Sequence, residues 1–276
     1  MSSFLDEMAA ASNTRVRAAK ARLSEAALAD RARLTPAAPP LRLSAEGFDL
    51  IAELKLRSPA AGALGSADCA VAERVAAYAR AGAAAVSVLT EPSRFDGSLA
   101  HLTEAARALA PLCVPAMRKD FLIDPYQVLE ARAAGAGGVL LIVRMLSPEA
   151  LAALIDCARS QGLFVLLEAF DEADLERMQE AIDADGGRST LLAGVNCRDL
   201  TTLEVIPERL LELLPLVPRG VPRVAESGVA GAADAGRLSG AGYSLVLVGS
   251  ALMRGEDPAA HARMLLQAGR AAREAS

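Results

Sequence analysis

No stretch of this chain reaches the run of about 18 to 20 apolar residues that a membrane-spanning helix needs, although 53% of its residues are hydrophobic. The N-terminus carries Asp6 and Glu7 and lacks the basic-then-apolar pattern of a secretory signal. A cytoplasmic protein without a membrane partner is therefore expected. The net charge of −5 over 276 residues leaves no basic footprint for nucleic acid, so no nucleic-acid partner is expected. An anionic ligand must be held by local donors rather than by the field of the whole molecule. Histidine is scarce: His101 and His261 are the only two, both in helical-looking stretches. That argues against imidazole triads and His-rich metal centres. Cys69, Cys113, Cys157 and Cys197 lie far apart, with no Cys-x-x-Cys pair, which points to buried free thiols rather than zinc or redox chemistry. No metal and no cofactor are expected, and acid–base chemistry falls to Lys, Glu and Asp.

What the chain does have is alternation. Residues 4 to about 30 read as an Ala-rich helix with Arg15, Arg17, Lys20 and Arg22 at exposed positions, ended by Pro36, Pro39 and Pro40. From Leu50 onward, short apolar strands alternate with amphipathic helices. The strands are predicted near 50–55, 84–90, 113–119, 138–143, 163–168, 191–196, 222–226 and 244–249. Helices are predicted at 67–81, 98–110, 124–134, from Ser147-Pro148, from Asp171, at 206–214, at 231–240 and from about 257. Asp124-Pro125 and Ser147-Pro148 are N-cap and first-turn pairs. Eight strand–helix units imply a parallel sheet with right-handed crossovers, closed into a single (β/α)8 TIM barrel of the α/β class. The N-terminal helical extension and linker would occupy residues 1–46 and the barrel residues 47–276. The alternative is an open doubly wound sheet, but no Gly-x-Gly-x-x-Gly follows the first strand.

The active site of such a barrel lies at the C-terminal ends of its strands. Strand side chains alternate faces. Ile51, Glu53 and Lys55 thus share one face and Leu50, Ala52 and Leu54 the other. The remaining strand ends supply Arg118-Lys119-Asp120-Phe121, Glu168, Asn196 with Arg198, Glu226-Ser227-Gly228 and Gly249-Ser250. Counting by two puts Phe164, Leu166 and Glu168 on one face, then Leu192, Gly194 and Asn196, Val224 and Glu226, and Leu245, Leu247 and Gly249. The polar members stand one layer above apolar ones. A charged strand end can be an edge facing water, but five in a compatible register describe a site above a packed core. The two Gly-Ser turns after strands seven and eight are suited to a phosphate, because glycine lets backbone N–H groups approach closely.

These residues resemble the indole-3-glycerol-phosphate synthase family. The resemblance runs through Ile51–Gly62, Ser87-Val88-Leu89-Thr90 with Phe95-Asp96-Gly97-Ser98, Arg118 to Gln127, Gly194 to Leu200, Ala225 to Gly228 and Leu247 to Met253. It implies a substrate, 1-(2-carboxyphenylamino)-1-deoxyribulose 5-phosphate, whose indole ring is closed with loss of carbon dioxide and water, without metal or organic cofactor. It implies Lys119 as general acid on the ketone and Glu168 as general base in the dehydration. Glu53, Lys55 and Asn196 would orient and polarise the substrate. Ser58, Gly228, Gly249 and Ser250 would line the phosphate site, with Glu226 and Ser227 in the adjoining turn. Phe95, Phe121 and Leu247 would wall the aromatic ring, and Arg198 would brace the site. Lys119 is expected to have a pKa lowered by other cations. The chain departs from the family's commoner residues at Ala60-Ala61, at Ala169-Phe170, at Cys197, which should face the helices, and in a longer loop at Asp183 to Ser189.

Three other readings compete. A phosphoribosylanthranilate isomerase would need a Cys/Asp pair at strand ends, where this chain has Glu-x-Lys and Asn. A non-catalytic binder of a phosphorylated metabolite would have lost Lys119 or Glu168. A paralogue acting on a related phosphorylated substrate shares every motif, and the oligomeric state is left open.

Overall fold

The computed structural model describes residues 4–59, 62–64, 70–199 and 202–274. Its strands are β1 (Asp49–Leu54), β2 (Ala85–Leu89), β3 (Ala116–Lys119), β4 (Gly138–Ile142), β5 (Phe164–Ala169), β6 (Leu191–Asn196), β7 (Arg223–Glu226) and β8 (Leu245–Val248). Each pairs in parallel with the next, and β8 pairs with β1, so the sheet closes into a barrel. The (β/α)8 expectation holds and the open sheet does not.

The face assignment by twos also holds. Ile51, Ala85, Met117, Leu140, Phe164, Leu166, Leu192, Val224, Leu245 and Leu247 form a cluster inside the barrel. Leu50, Ala52, Leu54, Val86, Val88, Val165, Val195 and Cys197 belong to the outer core, beneath the helices. A barrel interior is filled by side chains in layers rather than left as a pore. One layer depends on a missing side chain: a Cβ on Gly138 would lie 2.4 Å from the ring of Phe164, its register partner on β5.

Helix starts follow the sequence. Asp124 caps helix Pro125–Ala133 in a capping box with Gln127, Ser147 caps helix Pro148–Ser160, and Asp171 caps helix Glu172–Asp185. Two helices differ from expectation. The N-terminal segment is two helices, α1 (Phe4–Arg22) and α2 (Glu25–Leu34), because the Ser24 side chain accepts from the Ala27 N–H and starts a new helix. The segment predicted as a helix at 206–214 shrinks to Arg209–Glu212, followed by a 3-10 turn Leu214–Leu216 around Pro215, which cannot donate into a helix. The expected long loop at 183–189 is partly the end of helix Glu172–Asp185. The helix predicted from residue 67 begins at Val71, and its first predicted residues lie outside the described ones. Three short pieces went unforeseen: a helix Pro92–Phe95, a helix Ser250–Arg254 and a hairpin pairing Arg57–Ser58 with Gly62–Ala63. Among the described residues no helix is long and apolar enough to cross a membrane. Cys197 is buried, but Cys113 is exposed, against the expectation of buried thiols.

Helix α1 lies across the strand ends. Its Leu5 and Met8 are buried against the inner cluster, with Phe121 among their neighbours. The Phe4 ring meets that of Phe121 edge-on at 5.9 Å.

Candidate active site

At the C-terminal end of the barrel a cavity of about 440 Å³ opens between the strand ends and α1. Of the residues expected to form the site, Glu53, Lys55, Ser58, Phe95, Lys119, Phe121, Glu168, Asn196, Arg198, Ser227, Gly228, Leu247, Gly249 and Ser250 all line it. Glu226 does not. It is fully buried, with its carboxylate beneath the ammonium of Lys119.

Lys119 is the hub. Its Nζ lies 3.2 Å from Glu53 Oε2, 3.2 Å from Glu226 Oε2 and 3.9 Å from Glu168 Oε1. The other oxygen of Glu53 meets Lys55 Nζ at 2.8 Å, so one carboxylate spans both lysines. Asn196 Nδ2 donates to Glu168 Oε1 at 2.8 Å, and Asn196 Oδ1 accepts from the Arg198 N–H at 3.0 Å. The amide therefore fixes both the Glu168 carboxylate and the turn after β6.

This geometry reverses one expectation. Lys119 was expected among cations that depress its pKa. Burial does push its pKa down, but the charges of Glu53, Glu226 and Glu168 outweigh burial and hold it well above the ordinary value. Burial likewise raises Glu53, and the charges of Lys119 and Lys55 overturn that, bringing it down to about 2. Glu226 goes the other way. Burial and the neighbouring charge of Glu168 raise its pKa well above the usual carboxylate range, against the pull of Lys119. The site thus holds a firmly protonated lysine above one carboxyl group that favours its neutral form.

Two glycines make room for these carboxylates. A Cβ on Gly194 would lie 2.3 Å from Glu226 Oε1, and one on Gly249 would lie 2.3 Å from Glu53 Oε1. The sequence reading gave Gly249 to the phosphate, but its missing side chain faces Glu53. Gly249→Val is therefore expected to lower kcat at least tenfold as well as to raise KM. A displacement of about 1 Å in a reacting group costs up to about 10²-fold. Steady-state kinetics decide the point: a rise in KM at unchanged kcat would return Gly249 to a purely binding role. Beyond β7, Ser227 and Gly228 both adopt left-handed backbone, with φ of 67° and 70°. There a Cβ on Gly228 would meet Cys197 Sγ at 3.0 Å, so that turn needs its glycine twice over.

The three residues expected to wall an aromatic ring all line the cavity. The Phe95 and Phe121 rings are 6.2 Å apart and tilted, and Leu247 rises from β8. Phe4 and Leu5 of α1 and Phe170 after β5 also line the cavity; the sequence reading passed over the first two and noted Phe170 only as a departure from the family's commoner residue. Arg198 is braced by its Nη1 bond to the Leu203 carbonyl at 2.7 Å.

Sequence reading also missed what anchors α1. Arg15, expected at an exposed position, reaches the buried Asp120 with two hydrogen bonds of 2.8 and 2.7 Å. Asp120 also accepts from Thr90 at 2.8 Å and from Arg118 at 3.1 Å. Arg118, outward-facing as alternation required, continues to Glu130 and to the Gln127 carbonyl. The Ser12 hydroxyl donates to the Phe121 carbonyl at 2.5 Å. Burial alone would raise the Asp120 pKa, but the bond from Arg15 and the charges of Arg118 and Arg15 hold it well below the usual range.

Removing one partner of a buried ion pair costs about 3 to 5 kcal/mol. Asp120→Asn is expected at the low end, roughly 3 kcal/mol, because the amide still accepts one hydrogen bond and Arg15 is partly exposed. A depressed carboxyl pKa contributes stability above its unfolded value and loses it as pH falls toward the folded one. The melting-temperature gap between parent and variant should thus be full above pH ~5 and narrow progressively as pH falls below ~4 toward the depressed folded value. A gap that does not change with pH would show that the Asp120 charge carries no stability.

Comparison with known proteins gives the chain its place. The family model described as indole-3-glycerol phosphate synthase matches residues 5–265. The indole-3-glycerol phosphate synthase of Parafrankia sp. (strain EAN1pec) is 49% identical over 228 residues, covering 82% of this chain and 81% of the relative. That of Streptomyces griseus subsp. griseus is 42% identical over 269 residues, covering 97% and 96%. Among solved structures, thiamine phosphate pyrophosphorylase from Pyrococcus furiosus has a TM-score of 0.60 at 17% identity, covering 82% of this chain and 98% of its own. The 3-hexulose-6-phosphate synthase of Salmonella typhimurium also has a TM-score of 0.60, at 18% identity, covering 80% and 98%. These two share the fold. The match over residues 5–265 and identities of 42% and 49% establish that the chain belongs to the indole-3-glycerol phosphate synthase family.

Proposed function

We propose that this site closes the indole ring of 1-(2-carboxyphenylamino)-1-deoxyribulose 5-phosphate by lysine and glutamate acid–base catalysis, as the family does, and that its residues divide the work as follows. The observation that carries this division is the convergence of Glu53, Glu168 and Glu226 on Lys119. The aromatic ring sits against Phe95, Phe121 and Leu247. The phosphate lies at the turns Ser227-Gly228 and Gly249-Ser250, near Ser58 and Lys55. Phosphate and ring then fix the ketone between the two lysines.

The ring carbon that bears the carboxylate attacks the ketone carbon, forming the new carbon–carbon bond. The ketone oxygen becomes an alkoxide as that bond forms. Lys119 meets it as an ammonium, and its high pKa ensures that it is loaded at neutral pH. The developing alkoxide is a strong base, so it draws the proton across a short hydrogen bond. Carbon dioxide leaves and the pair of electrons returns to the ring. Dehydration follows: Glu168 takes a proton from the closed ring while Lys55 donates one to the departing hydroxyl. The acid and base come from different strands, as opposite-side elimination requires. Glu53 keeps both ammonium groups in place through its two oxygens.

The deciding experiment follows indole fluorescence after addition of the carboxyphenylamino-ribulose phosphate, with and without EDTA. Product is expected in both arms. Among the described residues, the three site carboxylates converge on the Lys119 ammonium, which fills the place of a cation. Complete loss in EDTA, restored by one divalent ion, would overturn the metal-free mechanism. No product in either arm would favour a paralogue with a different phosphorylated substrate.

A further inference from the structure

The segment after β5 carries an arrangement with no part in the scheme above. Inward-facing residues on β5 run Phe164, Leu166 and Glu168, and the next by alternation is Phe170. Phe170 is buried within the inner cluster and lines the cavity directly above the base. The guanidinium of Arg144, from the turn after β4, lies over the Phe170 ring at 4.9 Å from its centre. Its Nε donates to Asp174 Oδ2 at 2.7 Å, and its Nη2 pairs with Asp171 and Asp174 at 2.5 and 2.6 Å. The same Asp174 Oδ2 accepts the backbone N–H of Phe170 at 2.9 Å. Arg144 does not itself line the cavity.

From this geometry we infer that Arg144 is a positioning residue for ring closure and dehydration: it holds Phe170, and through it the strand end bearing Glu168, in the working geometry. The inference rests on the role proposed for Glu168. The reasoning is mechanical and electrostatic. Ile142 and Glu168 are register partners on β4 and β5, so the turn carrying Arg144 leaves the barrel beside the base. A planar guanidinium can lie flat against the ring while its edge N–H groups bind two carboxylates in fixed directions, a combination that the point charge of a lysine ammonium does not reproduce. Asp174 ties the ring's own backbone into the same clamp. A phenyl ring held upright there keeps water away from the carboxylate beneath it, and desolvation sharpens every charge interaction in the site. Without the clamp the ring is free to change rotamer, and water reaches Glu168.

Three variants test this: Arg144→Lys, Arg144→Ala and Phe170→Leu. Each is measured for melting temperature, KM, kcat and the single-turnover rate of indole formation. Arg144→Lys keeps a positive charge beside Asp171 and Asp174, so its melting temperature should stay within a few degrees of the parent. Its single-turnover rate should nevertheless fall about tenfold or more, with KM changed less than threefold. Arg144→Ala should lose both rate and melting temperature, and Phe170→Leu should reproduce the rate loss of Arg144→Lys. Full single-turnover rates in Arg144→Lys and Phe170→Leu would overturn the inference, leaving Arg144 a purely structural ion pair. So would a loss confined to Arg144→Ala that recovers when the assay is cooled below its melting range. Failure of the parent to form indole would instead sink the proposed function.

Discussion

Lys119→Ala is expected to abolish ring closure, lowering kcat by about 10³ to 10⁴, toward the upper end of what a positioned general acid contributes. The loss lies at that upper end because the substitution also strips the only cation shown, among the described residues, within 4 Å of Glu168 and Glu226. Two buried carboxyl groups would then face each other without their shared counter-ion, which drives Glu226 further toward its neutral form. Lys119→Arg keeps the charge but should not rescue, since a guanidinium does not release a proton near neutral pH. Lys55→Ala should bind substrate more weakly or stall after closure. Single-turnover analysis of the quenched reaction separates the two lysines. Unreacted open-chain substrate should persist on Lys119→Ala, and a closed, hydroxylated ring should build up on Lys55→Ala. The reverse pattern would exchange their roles.

Glu168→Gln is expected to reduce kcat by about 10² to 10⁴ with substrate affinity nearly unchanged, because the amide keeps size and polarity but cannot take a proton. The hydrogen bond from Asn196 to Oε1 should survive with the amide oxygen turned toward it. Removing the Glu168 charge also removes the neighbour that helps raise Glu226. A raised carboxyl pKa contributes stability at low pH and loses it as pH climbs through the window above the unfolded value. Glu168→Gln should therefore narrow that window and melt relatively higher than the parent at pH 7 to 8, even while it is inactive. A near-normal kcat would pass the role of base to Glu53 or Glu226.

The parts of this molecule legible in the sequence were those with a period. Strand alternation placed Glu53, Lys119, Glu168 and Asn196 on the inner face, and the capped helices began where Asp124, Ser147 and Asp171 mark them. Contacts between segments far apart in the chain were not legible. Nothing local to Arg15 says that it will meet Asp120, 105 positions away, and on a helical wheel it reads as a solvated cation. The sign of the Lys119 shift failed for the same reason. Its three carboxylates come from β1, β5 and β7, and only barrel closure brings them to one point. The break at Ser24 was legible in principle, since Ser24-Glu25 is a helix-start pair, but the Ala-rich run around it concealed the boundary.

Gly194 and Gly249 carry a lesson for anyone transplanting this chemistry into another barrel. A designer copying the six ionisable and amide side chains Glu53, Lys55, Lys119, Glu168, Asn196 and Glu226 onto a new scaffold would ordinarily leave neighbouring positions to whatever residue packs best, and a packing criterion favours alanine or valine there. Either choice would occupy the space of an oxygen on Glu53 or Glu226. The portable unit is therefore eight positions, two of them defined by having no side chain at all. A graft that omits those two should fold yet remain inert.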